Sequence, residues 1–215
     1  RKPGERVRNQ LFVSRGAGLV VIHVVGMGNM VTASALTEMT DQERNAGYRK
    51  FIFDLSECRG LDSTFMGCMV GLSNVLQRGS TSAELPALGG EPLVALSPEE
   101  AVEELKKALA KGQGGEPPAP GGGDEQRLVI AVNISPECAE LMNILGVDKF
   151  VRVGGSVDLS QLERTALPGR EVPPDEWRRM ILNAHENLVE IDKRNEEKFG
   201  AFLRRLSEEL AKDKQ

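Results

Sequence analysis

The chain has 215 residues, of which 40% are hydrophobic and only 4% aromatic, and its formal net charge is −5. This length allows one or two domains, and the composition predicts one moderate core with additions. The acidic balance, without clustered Lys and Arg, argues against nucleic acid as a partner.

The cysteines and the hydropathy indicate the compartment. Cys58, Cys68 and Cys138 are widely spaced and odd in number, and no C-x-x-C pair occurs. This pattern predicts neither a disulfide framework nor a zinc site. There is no apolar run of about 18 residues, and residues 1–6 precede no hydrophobic segment of the signal-peptide type. We therefore expect a cytoplasmic protein with no membrane contact, no metal and no cofactor.

Hydrophobic patterning predicts that strands and helices alternate along the first 153 residues. The expected strands span 7–13, 19–25, 51–55, 127–133 and 149–153, and the expected helices span 32–47, 63–77 and 135–145. This order predicts an α/β fold, a mixed sheet with helices packed on one side.

Three further segments complete the predicted organisation. Residues 79–126 are rich in Gly, Pro and Ser and read as a flexible insertion with one short helix at 97–109. Residues 154–173 are expected to be a linker, and residues 174–215 one long C-terminal helix. Residues 1–153 would then form the main domain.

The start of the helix at 63–77 is the strongest functional signal. A buried-type strand runs into a short loop, which delivers Asp62, Ser63 and Thr64 to the first turn of an apolar helix. Unpaired N–H groups at such a position favour negative charge, as on a phosphate. The same residue types are also the ordinary caps of a helix N-terminus, so capping without regulation is an equally physical interpretation.

This segment, together with the run Leu128 to Glu137 and the run Leu141 to Phe150, resembles the STAS family of anti-sigma factor antagonists. The resemblance covers roughly residues 7–78 and 127–153. Two positions depart from the family pattern: Phe65 stands where a Gly usually follows the serine pair, and Asn29 replaces an acidic residue in the early turn.

The resemblance implies a non-enzymatic regulatory module that is switched by phosphorylation of Ser63, with Thr64 as the second candidate acceptor. The implied partners are an anti-sigma factor or a serine kinase, with a PP2C-type phosphatase to remove the phosphate. The implied partner-binding residues are Gly28, Asn29, Asp62, Ser63, Thr64, Phe65 and Gly67.

The C-terminal segment carries a regular seam of side chains at alternating spacings of three and four, which indicates a long amphipathic helix. The seam consists of Trp177, Ile181, Ala184, Leu188, Ile191, Asn195, Phe199, Phe202, Leu206 and Leu210. It can pack on its own domain or on a second chain, with Asn195 as a polar residue that sets the register. Self-association through this helix gives the alternative function, a structural or oligomerising scaffold without a phosphorylation switch.

An enzyme is not predicted, because no catalytic dyad can be built from the spacing of the residues. His23 lies in an apolar strand, where a histidine is usually a satisfied structural residue or faces outward. His185 lies on the charged C-terminal helix. Cys68, near the start of the key helix, is expected to be a packed and unreactive thiol.

Overall fold

The computed structural model describes residues 8–16, 18–78, 128–169 and 171–212. The helix expected at 97–109 and the rest of the insertion lie outside these residues.

Among the described residues, a mixed sheet of seven strands forms the centre of the structure. Its strands are β1 (Gln10–Gly16), β2 (Leu19–Gly28), β3 (Lys50–Asp54), β4 (Cys58–Leu61), β5 (Leu128–Val132), β6 (Arg152–Val153) and β7 (Thr165–Ala166). The order is β6-β5-β3-β2-β1-β7, and β4 pairs with the end of β2. Strands β2, β3, β5 and β6 run parallel, whereas β1 is antiparallel to both β2 and β7.

The described helices follow the same alternation as far as β6 and then form a separate pair. They are α1 (Met30–Asn45), α2 (Ser63–Arg78), α3 (Pro136–Ile144), α4 (Pro174–Ile191) and α5 (Arg194–Lys212), with a 3-10 turn at Val147–Lys149. We call α4 and α5 together the C-terminal hairpin.

The two faces of the sheet are covered differently. Side chains alternate along a strand, so Val20 and Ile22 point to different faces from their neighbour Val21. The first face packs under the helices in the main core, which includes Leu36, Phe65, Met69 and Met142. The second face carries a smaller cluster that Val157, Leu159 and Leu162 cover, and no helix of the described residues contributes to it. The predicted α/β fold, with helices on one side of a mixed sheet, is confirmed.

Several element boundaries differ from those predicted. Strand β1 spans 10–16, not 7–13. The loop expected after β3 contains β4, because Cys58, Gly60 and Leu61 are buried and pair with the extension of β2. The strand expected at 149–153 is only Arg152–Val153, since a 3-10 turn occupies 147–149.

The segment expected to be a linker at 154–173 also contacts the sheet. It supplies the buried Val157 and Leu159 and then β7, which pairs with β1.

The prediction of one continuous C-terminal helix is wrong. The helix stops at Ile191 and a second one starts at Arg194. Asp192 causes the break: it leaves the helical conformation, with φ −149° and ψ 112°, and its Oδ1 accepts from the backbone N–H of Arg194 at 3.0 Å. A three-four spacing of apolar residues continues across such a corner, so the seam alone does not show it.

Candidate modification and partner site at the start of helix α2

Asp62 joins the starts of two helices. Its Oδ1 accepts from the Phe65 N–H, which caps α2, and its Oδ2 accepts from the Met30 N–H at the start of α1, both at 2.8 Å. Its own N–H donates to the carbonyl of Gly28 at 2.8 Å. The structure therefore brings together the two segments that the sequence analysis selected, 28–29 and 62–67.

Asn29 caps α1. Its side-chain oxygen accepts from the N–H groups of Val31 and Thr32, and the Thr32 hydroxyl accepts from the Asn29 N–H, which completes a capping box. Asn29 is thus a structural residue of this turn, a role that an acidic side chain could fill equally well.

The predicted site residues differ in accessibility. Asn29, Asp62 and Ser63 are half-buried. The others, Gly28, Thr64, Phe65 and Gly67, are buried. Thr64 is only 5% exposed, so it offers a kinase much less access than Ser63 does.

His185 of α4 lies against the Ser63 hydroxyl. Its Nε2 is 2.9 Å from Ser63 Oγ, and its Nδ1 is 2.8 Å from the carbonyl of Ile181. A carbonyl only accepts, so Nδ1 carries a proton, and in the neutral ring Nε2 accepts from Ser63. The rings of Phe199 and Phe202 meet the imidazole edge to face at 4.8 and 5.2 Å.

Helix α4 crosses α2 at backbone contact. A Cβ on Gly67 would lie 2.8 Å from Ala184 Cα, and the Ala184 carbonyl would be nearer still. A Cβ on Gly71 would lie 2.6 Å from Asn187 Nδ2. Asn187 Nδ2 also donates to the carbonyl of Gly67 at 3.1 Å. The absence of a side chain at position 67 is therefore what lets the C-terminal hairpin dock, whereas at position 71 only the end of the Asn187 side chain is in the way.

Three apolar side chains at this edge are exposed and were not selected from the sequence. Met27, Met30 and Val31 are 37%, 41% and 61% exposed. They lie at the end of β2 and the start of α1, where Asp62 binds the Met30 N–H. The sequence did not single them out as surface residues, because a methionine or valine beside a turn is usually a buried core residue.

A second polar cluster lies on the other face of the sheet. His23 Nδ1 is 2.8 Å from Asp54 Oδ2, and His23 Nε2 is 2.9 Å from Ser14 Oγ. Asn133 Nδ2 donates to Asp54 Oδ1 at 2.8 Å, and Arg164 lies 3.6 Å from Asp54 Oδ2. His23 is thus a satisfied structural histidine, as one of the two sequence interpretations expected.

The Asp54 carboxylate is strongly held in its charged form. Burial by itself raises the pKa of this group, but the hydrogen bonds from His23, Asn133 and Ser56 outweigh it and lower the pKa to about 2. Asp54 and Arg164 line a cavity of about 430 Å³ near the ends of β3 and β5.

The order Ser14, His23, Asp54 is that of a hydrolytic triad, which spacing did not reveal. All three side chains are buried. Ser14 Oγ also lies 2.7 Å from the carbonyl of Glu163, to which it donates. Neither Ser14 nor His23 lines the neighbouring cavity. We therefore assign the cluster to the stability of the sheet.

The cysteines and acidic residues show no further chemical site in the described part of the chain. Burial raises the pKa of the Cys58 and Cys68 thiols to about 11, so both stay protonated at neutral pH. No group of three or more possible metal ligands occurs among residues 8–16, 18–78, 128–169 and 171–212. Within the same residues, none of the helices has the length and apolar character needed to cross a membrane.

Comparisons with known proteins give matches among solved structures alone. No family model and no curated protein matches the sequence. The chain is similar to a "putative anti-sigma factor antagonist" from Thermotoga maritima, known as TM1081, at 13% identity. That match covers 69% of this chain and 87% of the other, with a TM-score of 0.42. The NMR structure of TM1081 matches at 13% identity over 73% and 89%, with a TM-score of 0.43.

Proposed function

We propose that this chain is a non-enzymatic, cytoplasmic regulatory module of the anti-sigma factor antagonist kind, switched by phosphorylation of Ser63. The observation that carries the proposal is the position of the Ser63 hydroxyl in the first turn of α2. Asp62 lies directly before it and holds the starts of α1 and α2 together.

A phosphate on Ser63 would change the charge of the surface formed by the end of β2 and the starts of α1 and α2. It would add a charge of about −1.5 to −2 at pH 7 beside the Asp62 carboxylate. The neighbouring surface is neutral and apolar at Met27, Met30 and Val31. A partner that binds these side chains would therefore lose affinity when Ser63 is modified. The expected partners are an anti-sigma factor or a serine kinase, with a PP2C-type phosphatase to reverse the modification.

Ser63 is favoured over Thr64 as the acceptor because of burial. The Thr64 side chain lies inside the helix packing, whereas Ser63 is half-buried and meets one side chain of the C-terminal hairpin.

The scaffold alternative is less well supported. Ala184, Leu188 and Asn195, which are seam residues on which self-association would depend, are buried against their own chain. The exposed seam residue Phe202, at 44%, meets the His185 ring of the same hairpin edge to face.

The test is phosphorylation of the full chain by a serine kinase encoded beside its gene, with the product mapped by mass spectrometry. We expect one phosphate at Ser63, which disappears in Ser63→Ala and persists in Ser56→Ala, where the control serine is exposed in the turn after β3. Phosphate on other residues, or none with any neighbouring serine kinase, would contradict the proposal.

A further inference from the structure

We infer that the C-terminal hairpin is an intramolecular cover of Ser63, and that docking of the hairpin and a phosphate on Ser63 exclude each other. The inference rests on the proposed function for the modification of Ser63. The contact between Ser63 and His185 is observed in the structure and does not depend on that proposal.

The hydrogen bond between the two side chains has a fixed direction. His185 Nδ1 donates to the Ile181 carbonyl, so the neutral imidazole offers Nε2 as an acceptor, and the Ser63 hydroxyl is the donor. A phosphoserine has no hydroxyl proton at this oxygen. Modification therefore removes the donor from this contact.

Phosphorylation also adds atoms where there is no space. The 2.9 Å between Ser63 Oγ and His185 Nε2 accommodates one proton. While Ser63 keeps this rotamer, a phosphorus atom and three oxygens cannot enter the gap unless His185 moves. The ring of His185 is held by the Ile181 carbonyl of α4 and contacts Phe199 and Phe202 of α5, so its displacement would disturb both helices of the hairpin.

The hairpin is joined to the domain in a way that permits release. None of the seven strands comes from the hairpin, and it follows residues 167–169 and 171–173, which form neither helix nor strand. Its crossing with α2 depends on the backbone contact at Gly67. At the other end Asn195 donates to the carbonyls of Leu145 and Leu188. Leu188 of α4 lies in the main core, so release would expose apolar surface there, but it would break no strand pairing of the sheet.

The experiment places phosphoserine at position 63 of the full chain during translation, so that no kinase is required. Hydrogen exchange by mass spectrometry then compares α4 with β2 and β3, and the fluorescence of Trp177 reports on the hairpin. Trp177, the chain's only tryptophan, is half-buried in α4. The matched control carries phosphoserine at the exposed position 56, and Ser63→Ala separates loss of the hydrogen bond from added bulk and charge.

We expect phosphoserine 63 to raise the exchange of α4 amides by at least about tenfold, with β2 and β3 unchanged, because opening then costs less free energy. Ser63→Ala should give a smaller rise, and phosphoserine 56 none. Unchanged or slower exchange of α4, as when a protonated His185 retains the phosphate, would overturn the inference. An equal rise in β2 and β3 would overturn it too, because the hairpin would then not separate from a folded domain.

The inference and the proposed function fail separately. Absence of a kinase for Ser63 leaves the exchange result intact and contradicts the proposed function alone. A modified Ser63 that leaves the hairpin docked contradicts the inference alone.

Discussion

Gly67 of α2 lies directly under the backbone of Ala184 of α4, and a Cβ at position 67 would overlap the Ala184 carbonyl group. Backbone atoms cannot move aside as the end of a side chain can, so this contact sets how close the two helices approach. It also fixes His185, the next residue of α4, over Ser63. The C-terminal hairpin can therefore dock on α2 because position 67 has no side chain.

Gly67→Ala is expected to weaken docking. In an exposed helix this change would stabilise the protein by about 1 kcal/mol. Here the overlap should lower the free energy of unfolding by about 1–3 kcal/mol, the usual cost of overpacking. Urea denaturation measures the change, and faster exchange of α4 amides locates it.

Gly71→Ala is the matched control. A Cβ there would meet the amide nitrogen at the end of the Asn187 side chain, which can rotate away at the cost of its hydrogen bond to the Gly67 carbonyl. The lost bond, about 1 kcal/mol, offsets the helix-propensity gain of a Gly→Ala change. We expect a change within about 1 kcal/mol of zero. Equal losses in the two variants would show that the backbone contact at Gly67 has no special role.

Asn195→Ala tests the corner of the hairpin. Asn195 is fully buried, and its Nδ2 donates to the carbonyls of Leu145 and Leu188 at 2.9 and 2.8 Å. Removing a donor from two buried carbonyls should lower the free energy of unfolding by about 1–3 kcal/mol. Thermal and urea denaturation measure it.

The control is Asn143→Ala, because Asn143 is exposed and its Nδ2 donates to Asp148 Oδ2 at 3.1 Å in an exposed hydrogen bond. Its effect should stay within about 0.5 kcal/mol. If Asn195 instead set the register of an assembly, Asn195→Ala would change the mass in solution and leave the monomer's stability unaltered.

The sequence predicted the sheet and its helices because their signals are local. Strand β3 and helix α2 have strong apolar patterns and clear ends, and both appear within two residues of the predicted bounds. Strand β4 was missed because Arg59 and Gly60 read as a turn, and it exists only through its pairing with β2. Strand β7 has two exposed residues and no pattern of its own.

The site was predictable only in part. Asp62 and Ser63 could be recognised because cap residues before an apolar helix are a local feature. His185 could not, since its contact with Ser63 joins positions 122 residues apart. One signal was present: Asp192, followed by Glu196 and Glu197, is the pattern of a helix start and would have divided the C-terminal segment.

Asp54→Asn is expected to show the energetic role of the second polar cluster. The pKa of Asp54 falls from its ordinary 3.8 to about 2 in the folded protein. The charged form therefore contributes stability above about pH 4, on the order of 2 kcal/mol, and this contribution disappears as the pH falls towards 2.

Urea denaturation of the two proteins from pH 7 to pH 2 measures this difference. The deficit of Asp54→Asn should be full at pH 7 and shrink steadily below pH 4. Asp41→Asn, a change in an exposed ion pair with Arg44, should cost less than about 1 kcal/mol. A deficit for Asp54→Asn that does not vary with pH would mean that the charge of the carboxylate is not what stabilises the fold.

Ending the chain after residue 173 tests where the C-terminal seam finds its partner. Leu188 is fully buried in the main core, and α4 covers the face of α2 that carries Gly67 and Gly71. The shortened protein should keep the strand signal in circular dichroism, because no strand is removed. Its free energy of unfolding should fall by at least about 2 kcal/mol, the value of one buried leucine. It should also bind an apolar dye more strongly, since the face of α2 becomes accessible.

Light scattering provides the contrasting outcome for this truncation. Packing within one chain predicts the mass of a monomer before and after the truncation, with a lower thermal midpoint afterwards. Assembly through the C-terminal segment, which was the other interpretation of the seam, predicts a larger particle that becomes monomeric at an unchanged midpoint. The burial of Ala184, Leu188 and Asn195 within their own chain favours the first outcome, because a seam that is already covered has little apolar surface left to offer a second copy.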